Sequence, residues 1–155
     1  QICMNGHTIT SSIEKYPGIK EEYCSLCGEP TITACPNCNS NIKGRYDIEG
    51  YPSFNGGYDG AKAYCHNCGH PFPWTERKIR SAIDSLKEAD NLSDDELKDI
   101  ESDLIEVSKD SPAAKPAALR LKKTFAKFGC SVGEVLHGLI VSIASETVSK
   151  IILGK

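Results

Sequence analysis

No run of 18 residues in the 155-residue chain is free of Asp, Glu, Lys and Arg. A membrane-spanning helix, which needs about 20 mainly apolar residues, is therefore not expected. A basic segment followed by an apolar one, the mark of a secretory leader, is missing from the N-terminus. There is no net positive charge either: the formal charge is −3. Backbone phosphates reward net positive charge, so a general nucleic-acid binder is disfavoured. Neither His-Glu-x-x-His nor a His-x-Glu ahead of Pro-Cys-x-x-Cys occurs, which removes two familiar catalytic zinc patterns. Apolar residues make up 39% and charged residues 25%. Those shares exclude collagen-like, purely coiled-coil and wholly disordered chains.

Cysteine is what the chain has in excess. It holds eight, seven of them within the first 68 residues. They fall mostly in C-x2-C pairs, and without a leader this spacing reads as metal ligands before disulfides. A reducing cytoplasm is the expected location. Four ligand pairs stand in order: Cys3-x3-His7, Cys24-x2-Cys27, Cys35-x2-Cys38 and Cys65-x2-Cys68. Eight ligands suffice for two tetrahedral sites, since a tight turn aims two sulfurs, or a sulfur and an imidazole, at one point. Gly6 precedes His7, Gly28 follows Cys27 and Gly69 follows Cys68, where such turns need glycine.

Consecutive pairing gives Cys3, His7, Cys24 and Cys27 as one site and Cys35, Cys38, Cys65 and Cys68 as the other. Interleaved pairing, as in RING-type ligase domains, is the alternative. The short link from Cys27 to Cys35 favours two ribbons in tandem. Both sites are filled by four protein ligands, so two structural Zn²⁺ are expected and no catalysis. Four thiolates also suit iron or an iron–sulfur cluster, but a mixed set of three cysteines and one histidine favours zinc. With ligands deprotonated and two zincs bound, the net charge becomes about −6. His66, His70 and His137 are read as non-ligands, with His70 a substitute candidate. Cys130 has no visible partner for chemistry.

The chain changes character at Pro71-Phe72-Pro73-Trp74-Thr75-Glu76. Residues 1–73 read as a double zinc ribbon of turns and short strands. Thr8-Ile9-Thr10 and Thr31-Ile32-Thr33 are β-favouring triplets. Ile42 to Ile48 and Ala63-Tyr64 suggest a further hairpin, with glycine-rich residues 50–60 at its tip. Residues 74–155 read as a helical domain of about four helices. Thr75 is the expected cap of the first, with Ile79, Ala82, Ile83 and Leu86 on one stripe. Ser93-Asp94-Asp95-Glu96 is a capping box opening the second, which carries Leu97, Ile100, Leu104 and Val107. Ser111-Pro112 ends it. A third helix is expected from about Ala113 to Phe128, closed by Gly129. Ser131-Val132-Gly133-Glu134 is a second capping box, opening a last helix to about Leu153. The fold class is α+β. Phe72, Trp74 and Tyr64 are expected to form a small core at the end of the second ribbon.

Charge is unevenly spread. Residues 84–110 carry eleven acids and three lysines, 3 − 11 = −8. Residues 115–127 carry five cations and no acid. Acidic and basic helices packed side by side explain both. The alternative reserves Arg77, Lys78, Arg80, Arg120, Lys122, Lys123 and Lys127 for phosphate or a partner.

The pattern Cys3-Met4-Asn5-Gly6-His7-x-Ile9-Thr10, Cys24-x2-Cys27-Gly28, Cys35-Pro36-x-Cys38 and Cys65-x2-Cys68-Gly69-x-Pro71-Phe72-Pro73-Trp74-Thr75-Glu76 resembles an uncharacterised bacterial double-zinc-ribbon family. The resemblance covers roughly residues 1–90. It implies a bacterial, cytoplasmic zinc-binding protein and no established activity. Ala117 to Leu153 is similar to tails on small bacterial proteins, some of them suspected phage-defence components. The expected function is thus a zinc-bearing protein-interaction or adaptor module, with the helical region self-associating or binding a partner protein. The alternatives are nucleic-acid binding and a defence component attached to a membrane surface.

Overall fold

The computed structural model describes residues 1–45, 58, 60–89, 92–109, 111–126, 138 and 140–153. The chain divides into two compact units, Gln1–Thr75 and Glu76–Lys155. With two short strands and several helices, the fold is α+β.

The first unit is built on turns. Its sheet pairs β1 (Ile2–Cys3) antiparallel with β2 (Thr31–Ile32), Ile2 opposite Ile32 and Cys3 opposite Thr31. A 3-10 turn covers Pro17–Ile19. The Thr31 triplet supplies a strand as expected, but the Thr8 triplet does not. Thr8 makes only an isolated bridge to Ile2. The chain must double back between two ligands, and the Cys3 N–H donates to the His7 carbonyl at 2.9 Å. Strand propensity is a weak preference beside that constraint. The hairpin expected over Ile42 to Ile48 and Ala63-Tyr64 is also not found. Residues 42–45 form no strand, Tyr64 bridges Pro71 instead, and 46–48 lie outside the described residues, as does most of the 50–60 loop.

Three of the four knuckles are copies of one hairpin. The N–H of the first cysteine donates five residues ahead: Cys24 to Glu29, Cys35 to Ser40 and Cys65 to His70, at 2.8, 2.9 and 2.9 Å. The residue after the second cysteine takes positive φ: Gly28 at 73°, Asn39 at 58° and Gly69 at 70°. Its N–H closes the turn on the first cysteine's carbonyl at 2.8–2.9 Å. Glycine adopts this conformation freely, and asparagine tolerates it better than other side chains. Isolated bridges Tyr23–Pro30, Ala34–Asn41 and Tyr64–Pro71 flank the three turns.

A small core of Ile2, Cys35, Cys65, Phe72 and Trp74 fills the unit. The Phe72 and Trp74 rings stack with centroids 4.6 Å apart. Trp74 Nε1 donates to the Lys62 carbonyl at 2.8 Å, so the indole is buried without an orphaned N–H. Tyr64, expected in this cluster, is only half-buried.

Helix α1 spans Pro73–Ala89, α2 Asp94–Ser108, α3 Ala114–Phe125 and α4 Glu146–Leu153. Thr75 does not cap α1. Pro73 opens the helix, because its missing N–H would have no partner in the first turn anyway. Thr75 Oγ1 instead donates to the Ala63 carbonyl at 2.8 Å. The capping box on α2 forms as the sequence indicates: Ser93 Oγ accepts from the Glu96 N–H, and Glu96 accepts from the Ser93 N–H. Past α2, Ser111 Oγ accepts from the Ala113 N–H at 3.2 Å and turns the chain into α3.

The second unit has an apolar core. Ile79, Ala82, Ile83 and Leu86 of α1 join Leu97, Ile100, Leu104 and Val107 of α2. Ala114, Ala117, Ala118 and Leu121 of α3 complete it with Ile140, Val148 and Ile152. Helix α3 packs on both α2 and α4. The last segment is not one continuous helix. Residues 140–143 are helical, Ala144-Ser145 are not, and α4 restarts at Glu146. Ser145 sits where an N-cap belongs: its carbonyl accepts the first helical bond, from the Ser149 N–H at 2.9 Å. Serine there, followed by an acid, favours a new start. Gly129, Cys130, the Ser131–Glu134 box and His137 lie outside the described residues.

Among the described residues, no helix is long and apolar enough to cross a membrane.

Candidate metal centres

The first unit brings its eight ligand residues into two groups. Cys3, His7, Cys24 and Cys27 form one; Cys35, Cys38, Cys65 and Cys68 form the other. Within each group the donor atoms all lie within 4.8 Å of one another. Consecutive knuckles share a centre, so the eight ligands form no cross-brace. The first centre joins the Cys3–His7 turn, beginning on β1, to the Cys24–Cys27 knuckle. The second joins the Cys35–Cys38 and Cys65–Cys68 knuckles.

The spacings fit a tetrahedral ion. A metal–sulfur bond of about 2.3 Å gives a tetrahedral edge of about 3.8 Å between sulfurs. Cys3 Sγ lies 3.8 Å from Cys27 Sγ, Cys35 Sγ 3.8 Å from Cys68 Sγ, and Cys38 Sγ 3.7 Å from Cys65 Sγ. With a metal–nitrogen bond of about 2.05 Å, a mixed edge is about 3.6 Å. His7 Nδ1 lies 3.6 Å from Cys24 Sγ. His7 thus presents Nδ1 to the first centre. Both centres can hold a metal ion; zinc and iron share this sulfur geometry.

Burial and hydrogen bonding set the thiols apart. Cys3, Cys24, Cys35 and Cys65 are buried, whereas Cys27 and Cys68 are exposed. Each buried cysteine opens its knuckle. Burial pushes the Cys35 thiol up to about 11, and Cys3 is raised for the same reason. Cys38 is held down to about 5, first by the Ser40 hydroxyl and then by the Ser40 backbone and Asn67 amide. Ser40 also lowers Cys65. Burial opposes ionisation of Cys24, but the backbone N–H groups of Leu26 and Cys27 and the His7 ring bring it to about 7. A thiolate is the form that binds a metal.

Other sequence candidates sit elsewhere. His66 and His70 are exposed and contribute no donor to either group. Arg77 and Arg80 are exposed on α1, while Lys78, half-buried, donates from Nζ to the Ser142 carbonyl at 3.0 Å. Arg120 is engaged with Asp103 across α2 and α3, its Nε reaching both carboxylate oxygens at 3.0 and 3.1 Å. That pairing raises the Arg120 pKa further above its ordinary value. Lys122 and Lys123 are exposed, and Lys127 lies outside the described residues. The basic helix therefore packs on the acidic one through its alanines and Leu121, with an ion pair at the seam. Sequence reasoning missed Asn37, Ser40 and Asn67, whose side chains reach the sulfurs of the second centre. Their positions inside or just after knuckles were the available signal.

Comparison with curated proteins and with solved structures gives no significant match. A family model does match, and it reaches well past the ribbon half on which the sequence resemblance rests. It covers residues 1–152 and describes uncharacterised proteins conserved in bacteria, and this chain belongs to that family, DUF2321.

Proposed function

We propose that this protein is a zinc-stabilised interaction module: two structural zinc ions hold the ribbon unit, and the helical unit engages a protein partner or a second copy. The observation that carries the zinc reading is the pair of four-donor groups, with Cys3–Cys27, His7–Cys24, Cys35–Cys68 and Cys38–Cys65 at the spacing of a tetrahedral edge. A set of three cysteines and a histidine beside an all-cysteine set suits zinc, which accepts sulfur and imidazole together. Four protein ligands leave no coordination position for water or substrate, so the role of the metals is structural and no catalysis is assigned to them. Bound zinc would cross-link four chain positions at each centre, supplying folding energy that a small core cannot.

Partner binding is favoured over nucleic-acid binding because the cations are partly committed. Arg120 is engaged with Asp103 and Lys78 with a backbone carbonyl. Apolar side chains are on offer instead: Leu119 and Val141 of the helical unit are half exposed, and Tyr23 and Leu26 flank the first centre. A cytoplasmic location accompanies this reading, since thiolate centres persist where thiols stay reduced.

Native mass spectrometry of the full chain, before and after a strong chelator, tests both parts. Two zincs per chain in an oligomer, or in a complex with a captured protein, support the module. Iron, or a single metal, would overturn the ligand assignment. A clean two-zinc monomer that binds DNA or RNA with a steep salt dependence would overturn the interaction role.

A further inference from the structure

The two centres differ in what surrounds their sulfurs. At the second, Asn37 Nδ2 donates to Cys68 Sγ at 3.5 Å, and Asn67 Nδ2 donates to Cys38 Sγ at 3.6 Å. The contacts are reciprocal. Each asparagine is the third residue of one knuckle, and each reaches the last cysteine of the other. Ser40 Oγ lies 3.1 Å from Cys38 Sγ and 3.4 Å from Cys65 Sγ. The Asn67 backbone N–H adds a bond to Cys65 Sγ at 3.5 Å. Three of the four sulfurs therefore face a side-chain amide or hydroxyl.

The first centre is built otherwise. The knuckle position that holds Asn37 and Asn67 is occupied there by Leu26, which is 77% exposed and whose side chain has no polar hydrogen to give. Backbone donors serve that centre instead: the His7 N–H reaches Cys3 Sγ at 3.3 Å, and the Leu26 and Cys27 N–H groups act on Cys24. Charge makes the difference matter. Four thiolates around a divalent ion leave a formal charge of about −2, against about −1 for three thiolates and an imidazole. Donors aimed at ligating sulfur spread that charge, fix each ligand's direction and hinder attack by competing protons or chelators.

We infer that Asn37, Asn67 and Ser40 are positioning residues forming a reciprocal clasp across the Cys35–Cys38–Cys65–Cys68 centre, which makes its metal the retained one and the metal at Cys3–His7–Cys24–Cys27 the exchangeable one. The inference rests on the two-zinc reading. The clasp acts through the cysteines and touches no substrate. It gives the two centres different tasks: a permanent staple, and a metal that leaves first when a competitor is present.

Cobalt-substituted full-length protein provides the test, because cobalt reports its sulfur ligands in its absorption. The parent chain should bind two cobalt ions and lose them to a chelator in two separate steps. In the Asn37→Ala/Asn67→Ala double variant the slower step should accelerate about 10–100-fold. Its sulfur-to-cobalt charge-transfer band should move to lower energy, since sulfur without donors gives up electrons more readily. Asn67→Asp keeps the side-chain size, removes the donor and should shift both readouts the same way. Leu26→Ala should move neither. Unchanged release and absorption in both asparagine variants, with two cobalts still bound, would overturn the clasp. So would single-step release from the parent. A parent chain that takes up no second cobalt would instead overturn the two-zinc reading, and the clasp with it.

Discussion

The two units solve the same problem by opposite means. Among the described residues, the helical unit buries fifteen apolar side chains in one cluster. The ribbon unit gathers five, two of them ligand cysteines. A core that small cannot offset the conformational entropy lost in ordering the ribbon unit's turns. Structural zinc contributes on the order of 10–16 kcal/mol in zinc-finger peptides near neutral pH, enough to close such a gap. The helical unit needs no such help, because its stripes on α1, α2 and α3 meet each other. The comparison teaches where specificity is written: in ligand spacing and turn chemistry for one unit, in 3.6-residue periodicity for the other.

Metal removal should separate them most sharply. Trp74 is the chain's single tryptophan and lies in the ribbon core, so its emission reports that unit alone. Chelation, or Cys65→Ser, is expected to shift Trp74 emission to that of a solvated indole while most of the far-UV helical signal persists. Loss of both signals in one transition would break the comparison.

Acid should act next, and again on one unit. A thiol held below its ordinary pKa contributes stability that is present above that ordinary value and lost as pH falls through the folded value. That value is about 7 for Cys24 and about 5 for Cys38. Cys35 in the second centre is pushed the other way, up to about 11, so the order of release rests on the side-chain donors. With Asn37, Ser40 and Asn67 on its sulfurs, the second centre should hold zinc to lower pH than the first, followed with a colorimetric indicator, with helicity little changed between. Release of both metals at one pH would merge the centres into one cooperative site.

Smaller effects sharpen the contrast from the other side. Leu104 is fully buried in the helical core. Leu104→Ala should cost about 2–5 kcal/mol, read as a lowered helical melting transition. Zinc stoichiometry should stay unchanged; a fall in bound zinc would show the units to be coupled. The smallest change is at Asn39, whose φ is 58°. Asn39→Ala should destabilise the ribbon by about 1 kcal/mol while Asn39→Gly should not, measured by Trp74 emission in denaturant. Equal behaviour of the two variants would mean the turn relaxes at no cost.

Much of this was legible in the residues. Ligand spacing marked out the eight residues that gather into the two groups able to hold a metal, and the short Cys27–Cys35 link pointed to consecutive pairing. The helical stripes and the Ser93–Glu96 box were readable because periodicity and capping are local rules. What was not legible came from distance. That Ile2-Cys3, and not Thr8-Ile9-Thr10, would pair with Thr31-Ile32 depends on where the ligands pull the chain. Pro73 rather than Thr75 begins α1 because the Thr75 hydroxyl is drawn to the Ala63 carbonyl. Asn39 hides the third copy of the knuckle, since an asparagine stands where its siblings have glycine. The sulfur contacts of Asn37 and Asn67 run between knuckles some thirty residues apart, and no local pattern announces them.

The repeated turn also has a consequence for synthesis. At Gly28, Asn39 and Gly69 the backbone takes a shape that is the mirror image of the one ordinary residues prefer. A D-amino acid prefers it for the same steric reason that an L-residue avoids it. D-alanine at position 28 or 69 would restrict the unfolded chain while matching the folded backbone. The ribbon knuckles are thus natural places to write mirror-image residues into an otherwise ordinary chain, because the backbone there favours the opposite hand from the rest of the protein.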